Sequence, residues 1–211
     1  MNRPPSASAV PGKVRIIGGR WRGTRLEVPP APGLRPTSDR VRETLFNWLQ
    51  AAVPGARVLD LFAGSGALGL EALSRGAASA VLVERDAKLA AALRSTAARL
   101  QGGEAAHVVQ ADAMAWLHGQ AHGSFDIAFV DPPFDANFWG AILPALTPKL
   151  SAEGWLYVEA PPTADAAPPQ EWSLHREGRT REVHYALYRR RPEATATLAD
   201  SPAGPAATSP I

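Results

Sequence analysis

The stretch Val58-Leu59-Asp60-Leu61-Phe62-Ala63-Gly64-Ser65-Gly66-Ala67-Leu68-Gly69 decides the fold. Its apolar start reads as a buried strand, its G-x-G-x-x-G as a tight turn, and the residues after the turn as a helix. Gly64 and Gly66 permit the turn and allow backbone to approach a ligand closely. Phe62, Ala63 and Ser65 belong to the same loop. Glu84 lies twenty residues past Gly64 at the end of the next expected strand, followed by Arg85. A carboxylate there accepts hydrogen bonds from ribose hydroxyls. Dinucleotide enzymes use the same spacing, so a nicotinamide cofactor is the competing reading. Asp60 weighs against it. A carboxylate four residues before the first glycine faces a pyrophosphate unfavourably, whereas it can hold the ammonium group of a methionine moiety.

Outward from this stretch, strand and helix patterns alternate. Strands are expected over residues 57–62, 80–84, 107–110, 125–130 and 155–159. Helices are expected over 67–75, 87–100, 114–118 and 137–150. Upstream, 14–17 and 24–28 read as a small hairpin around Gly18, Gly19 and Gly23. Thr37 can cap a helix running to about Ala52, with Val41, Leu45, Trp48 and Leu49 on one face. Strands at 172–176 and 183–189, joined through Gly178, read as an antiparallel hairpin at a sheet edge. Repeated strand–helix units predict an α/β, Rossmann-like fold: a mostly parallel seven-stranded sheet with helices on both faces. Ligands in such sheets bind beyond the carboxyl ends of the strands.

Two further strand ends carry chemistry. The third ends at Asp112-Ala113, where Asp112 can meet an adenine amino group and the backbone of Ala113 the ring edge. Asp112 also suits a helix N-cap, and the two roles are compatible. The fourth ends in Asp131-Pro132-Pro133-Phe134. An exocyclic amine on a base is a poor nucleophile because its lone pair is delocalised into the ring. Two acceptors aimed at its two N–H bonds, the Asp131 carboxylate and the Pro132 carbonyl, favour the pyramidal form that attacks a methyl group. The prolines fix the backbone so that this carbonyl points into the pocket. Phe134 offers a face on which an extruded base stacks.

Composition sets the outer limits. The 211 residues suit one domain with tails. Residues 1–12 and 192–211, rich in Ala, Pro and Ser, are expected to be disordered tails around a domain over 13–191. There is no cysteine, and the five histidines show no metal-ligand spacing, so no metal site is expected. No signal peptide or membrane span is legible, which predicts a cytoplasmic protein. The net charge of +2 hides an asymmetry. Residues 1–50 carry nine Lys/Arg against three acids, a net +6, and the remainder carries a net −4. Lys13, Arg15, Arg20, Arg22 and Arg25 fall within a basic N-terminal extension over 13–30. With Trp21 among them, this arm reads as phosphate contacts and one stacking aromatic for RNA.

Taken together, several runs resemble one family. Asp60–Gly66 with Asp131–Phe134 looks like the amino-methyltransferases of the Rossmann-like class. Further runs are Arg15-Ile16-Ile17-Gly18-Gly19-Arg20-Trp21-Arg22-Gly23 and Leu34-Arg35-Pro36-Thr37-Ser38-Asp39-Arg40-Val41-Arg42-Glu43-Thr44-Leu45-Phe46-Asn47-Trp48. With Phe62 to Gly76, these make residues 13–190 similar to the bacterial 16S ribosomal RNA guanine-N2 methyltransferase family (RsmD type). The resemblance implies S-adenosylmethionine as methyl donor. It also implies methylation of one guanine in 16S rRNA, within assembled or partly assembled small subunits. The segment from Arg35 to Glu43 is then expected to close over the methionine end of the donor, with Arg35 near the substrate. A DNA amino-methyltransferase would share D-P-P-F, but the chain leaves no room for a target-recognition domain.

Overall fold

The computed structural model describes residues 14–29, 37–133 and 138–191. Lys13, Arg35, Phe134 and both expected tails lie outside the described residues. Strands β1 (Val14–Arg15) and β2 (Arg25–Leu26) form an antiparallel hairpin, and α1 (Asp39–Trp48) comes after it. Next come β3 (Arg57–Asp60), α2 (Ala67–Ser74), β4 (Ser79–Glu84), α3 (Ala87–Arg99), β5 (Ala106–Gln110) and α4 (Ala113–His118). The last elements are β6 (Phe125–Val130), α5 (Trp139–Leu146), β7 (Leu150–Ala160), β8 (Trp172–Arg179) and β9 (His184–Arg190). The seven-stranded sheet runs β5-β4-β3-β6-β7-β9-β8, with β9 antiparallel to both its neighbours and the other pairs parallel.

Period-two alternation splits the core between the two faces of the sheet. Val58, Leu82 and Phe129 pack with Leu45 and Phe46 of α1, Leu70 and Leu73 of α2, and Leu93 of α3. Leu59, Val83, Val130 and Leu156 pack with Leu117 of α4 and Ile142, Leu143 and Leu146 of α5 on the other face. The inner strands β3, β4, β6 and β7 are therefore apolar on both sides, as a covered parallel sheet requires.

Several expectations change in detail. The cap of α1 is Ser38, whose Oγ accepts from the Val41 amide at 3.3 Å; the Thr37 hydroxyl is engaged elsewhere. The buried face of this helix carries Arg42 and Phe46 beside Val41 and Leu45, and Trp48 is only half-buried. The helix expected to reach residue 150 stops at Leu146 and continues as a 3-10 turn, Thr147–Lys149. Pro148 removes an amide that a continued helix would use. Strand β7 starts earlier than expected. Leu150 pairs with Phe125, and an irregularity in register absorbs the segment around Gly154. The last hairpin turns at Thr180–Val183, where the Thr180 amide donates to the Val183 carbonyl at 2.8 Å. Gly178 lies inside β8 opposite Tyr185, whose ring would meet a Cβ at 2.3 Å.

The basic arm is fastened to the body by buried polar groups. Glu71 of α2 accepts from the amides of Ile17 (2.7 Å) and Gly18 (2.8 Å) and from Arg75 Nε (2.7 Å). Ser74 Oγ accepts from the Trp21 amide and donates to the Gly18 carbonyl. Gly19 sits at φ +73°, and a Cβ there would lie 1.9 Å from the Ser74 carbonyl oxygen. The glycine pair is thus a docking surface pressed against α2 and not merely a hairpin turn.

Candidate active site

Strand β3 lies between β4 and β6, so the chain leaves it toward one edge and later returns to its other side. The crevice at such a switch point is open to a ligand. A cavity of about 1260 Å³ occupies it. Its walls come from the ends of β3, β4, β5, β6 and β7, the start of α1, and the turn between β8 and β9. It is large enough for a nucleoside-sized ligand with room beside it.

On the β3 side, the Asp60 carboxyl is 3% exposed and accepts from the Gly69 amide of α2 at 2.9 Å. Burial pushes its pKa up to about 7, opposed by the Gly69 amide and reinforced by the charge of Glu84. Such a group costs free energy when ionised without a cation and is stabilised by one. Glu84 spans the turn: one oxygen accepts from the Gly64 amide (2.9 Å), the other from the Asp86 amide (2.7 Å). These bonds orient the carboxylate at the cavity wall. Gly64 (φ +49°) lines the cavity with Phe62, Ala63 and Ser65. Gly66 (φ +73°) stands behind them. A Cβ there would meet Leu93 Cδ2 at 2.3 Å, so this glycine secures packing of the loop on α3, and it is not among the residues that line the cavity. Arg85, exposed, borders the cavity. Asp112 caps α4 by accepting from the Ala115 amide at 3.0 Å, and Asp112 and Ala113 both line the wall.

The acceptor side is built by β6 and β7. Asp131, Pro132 and Pro133 leave β6 into the cavity beside Asp60. Burial holds the Asp131 carboxyl well above the usual carboxylate range, helped by the charges of Glu159 and Asp60 and opposed by a hydrogen bond from Thr37. That bond runs from Thr37 Oγ1 to Asp131 Oδ2 at 3.3 Å. Glu159, at the end of β7, is 4% exposed; its Oε2 accepts from the Tyr157 hydroxyl at 2.8 Å. Burial raises its pKa too, against hydrogen bonds from Tyr157 and Thr37. Sequence reading missed Glu159 and the turn bearing Arg181, and it placed Thr37 in the segment expected to close over the donor without foreseeing its bond to Asp131. The signal for Glu159 was present: an acid ending a strand otherwise apolar in Leu156-Tyr157-Val158.

The arm is placed differently from its sequence reading. Trp21 is buried, with Nε1 donating to the Gln101 carbonyl at 3.0 Å and the Arg20 guanidinium lying 4.5 Å from its ring. Its face is spent on the core and on Arg20, so it offers no stacking platform. Arg15 pairs with Asp39 at 3.1 Å, whereas Arg22 and Arg25 are exposed without an ion-pair partner among the described residues.

These residues fit S-adenosylmethionine. A buried, unpaired carboxyl at Asp60 suits a cationic amino-acid end, and Glu84 one strand over suits ribose hydroxyls. Apolar Phe62, Val83, Met114 and Ile142 supply a wall for a flat base. No group of three or more acids or histidines that could hold a metal occurs among the described residues. Nor is any described helix long and apolar enough to cross a membrane.

Comparison with known proteins agrees with this geometry. A family model described as "Conserved hypothetical protein 95" matches residues 14–189. The "Ribosomal RNA small subunit methyltransferase D" of Escherichia coli (strain K12) is 48% identical over 186 residues, 85% of this chain and 91% of that protein. The protein of the same name from Haemophilus influenzae is 40% identical over 84% of this chain and 94% of its own length. The solved structure of the Escherichia coli protein yhhF superposes with a TM-score of 0.76 at 47% identity, over 86% of this chain and 100% of that one.

Proposed function

Given that the chain belongs to the ribosomal RNA small subunit methyltransferase D family, we propose that it methylates the exocyclic N2 amine of a guanine in small-subunit rRNA. The observation that carries this reading is the placement of Asp131-Pro132-Pro133 in one cavity with Asp60 and Glu84. A cation-holding wall thereby faces an amine-holding wall.

S-adenosylmethionine, when bound, supplies a methyl group on a positively charged sulfur. Asp60 holds the cationic amino-acid end, Glu84 the ribose, and Asp112 with Ala113 the adenine. The Asp131 carboxylate and the Pro132 carbonyl accept the two N–H bonds of the target amine and turn its lone pair toward the methyl group. Alignment of amine, methyl and sulfur accounts for most of the acceleration. A cation beside Asp60 would lower that group's pKa and hold it ionised. Phe134 stacks on the extruded base, and Arg35 and the arm contact the RNA backbone. The rRNA is methylated within a small-subunit particle, where the arm meets a shaped phosphate surface.

The test is nucleoside mass spectrometry of small-subunit particles incubated with the protein and labelled donor. N2-methylguanine is expected, and mapping of the fragments locates it. Labelled N6-methyladenine or N4-methylcytosine without methylguanine would overturn the substrate while leaving the amine chemistry standing.

A further inference from the structure

We propose that Glu159 reads the ring N1–H of the target base and so selects guanine over the other amino-bearing bases. The inference rests on the guanine reading above and adds a residue that the transfer step does not use.

The geometry begins with the sheet. Strands β6 and β7 are parallel neighbours with Val130 opposite Val158. Asp131 and Glu159 therefore leave adjacent strand ends at the same level, and neighbouring strands lie only about 4.8 Å apart. Both side chains line the one cavity. Both also reach the Thr37 hydroxyl. A hydroxyl has one proton to give, so Thr37 cannot satisfy the two carboxyl groups together. Among the described residues neither has a salt-bridge partner. Two acceptors side by side in the cavity wall, each with an oxygen not fully satisfied by Thr37 or Tyr157, suit two adjacent donors.

Among the bases with an exocyclic amine, guanine alone presents that pattern. Its N1–H stands beside its N2 amino group. In adenine the amine stands beside the N1 lone pair, and in cytosine beside the N3 lone pair. With Asp131 and the Pro132 carbonyl engaged by the amine, Glu159 faces the neighbouring ring position. There a carboxylate accepts from an N–H and repels a lone pair. Glu159 is held in place at both ends of the residue. Its Oε2 takes the Tyr157 hydroxyl at 2.8 Å, and its main-chain carbonyl takes Trp139 Nε1 at 3.3 Å. A fixed acceptor discriminates more sharply than a mobile one.

The experiment compares guanine with 2-aminopurine at the mapped position, in particles reconstituted with the substituted rRNA. 2-Aminopurine keeps the amine but replaces N1–H by a lone pair. Wild-type protein should prefer guanine by about 10²-fold or more in kcat/KM, because an unmatched buried polar group is strongly rejected. Glu159→Gln keeps an acceptor for Tyr157 and gains an amide N–H that can meet the N1 lone pair. It should lose activity on guanine and narrow the preference by about tenfold or more, a coupling between residue and ring position. Equal losses on both substrates, with the ratio unchanged, would assign Glu159 a merely structural role. Should this variant fail to fold, the wild-type ratio decides: methylation of 2-aminopurine within about threefold of guanine removes the inference. In either failure the product on guanine remains N2-methylguanine. A product on another base would instead remove the guanine reading itself.

Discussion

Asp60 is where binding and stability oppose each other. Its folded pKa of about 7 exceeds the 3.8 usual for an aspartate, so between these values the folded state holds a proton that the unfolded state has lost. Stability of the donor-free protein therefore falls as pH rises from about 4 to 7 and levels off above. This group contributes at most about 1.4 kcal/mol per pH unit. Asp60→Asn retains an acceptor for the Gly69 amide and removes the titration. The variant should gain stability over wild type from pH 5 to pH 8 in chemical denaturation, yet lose S-adenosylmethionine affinity in calorimetry. A parallel pH dependence in the two proteins would show that Asp60 is ionised throughout. At the acceptor wall, Asp131→Ala should leave donor affinity nearly intact and lower turnover by about 10²–10³, the usual loss for a preorganised polar group. Because burial and Glu159 hold the Asp131 carboxyl well above the usual carboxylate range, wild-type kcat/KM should rise with pH at pH values above that range. Unchanged turnover in the alanine variant would reduce Asp131 to a turn residue.

At the scale of elements, the N-terminal hairpin depends on α2. Glu71 is fully buried and answers two hairpin amides and Arg75 at once. Removing it leaves part-buried donors without that acceptor, so Glu71→Ala should destabilise the protein by about 1–3 kcal/mol. Urea denaturation measures this, and a change under about 1 kcal/mol would mean that water replaces the carboxylate easily. The hairpin was legible from glycines and alternating residues. Its docking was not, because the sequence separation between Gly18 and Glu71 hides a contact made only when α2 packs. The same holds for α1, whose cap is Ser38 and not Thr37. Either residue suits the N-cap position by propensity, and the pull of Asp131 on the Thr37 hydroxyl decides between them.

Over the whole molecule, charge is divided between a basic arm and an acidic body, and under the proposed function the two serve different ligands. Only Arg22 and Arg25 of the arm's described cations are exposed and free of a partner. Arg15 is paired with Asp39, and Arg20 covers Trp21. Replacing Arg22 and Arg25 with alanine should therefore flatten the salt dependence of rRNA binding by roughly 0.7–0.9 for each phosphate neutralised in the wild type and not in the variant. Donor affinity, formed by the strand ends, should not respond. An unaltered slope in filter binding across salt concentrations would place the RNA on another face.

The strand–helix alternation, the glycine turn after β3, and the acids at Asp60, Glu84, Asp112 and Asp131 were all legible in the chain's own residues. Each is written locally, in hydrophobic period and in the residue that ends a strand, and ligands of such sheets sit at strand ends whatever the order of the strands. Which ends stand together was settled by three-dimensional packing. Strand order put β6 between β3 and β7, setting Asp131 beside both Asp60 and Glu159. It also buried Trp21 against the core and pressed Gly66 against Leu93 of α3. A side chain's role depends on what surrounds it, and those surroundings come from segments far along the chain, brought close only when the apolar faces of the sheet are covered.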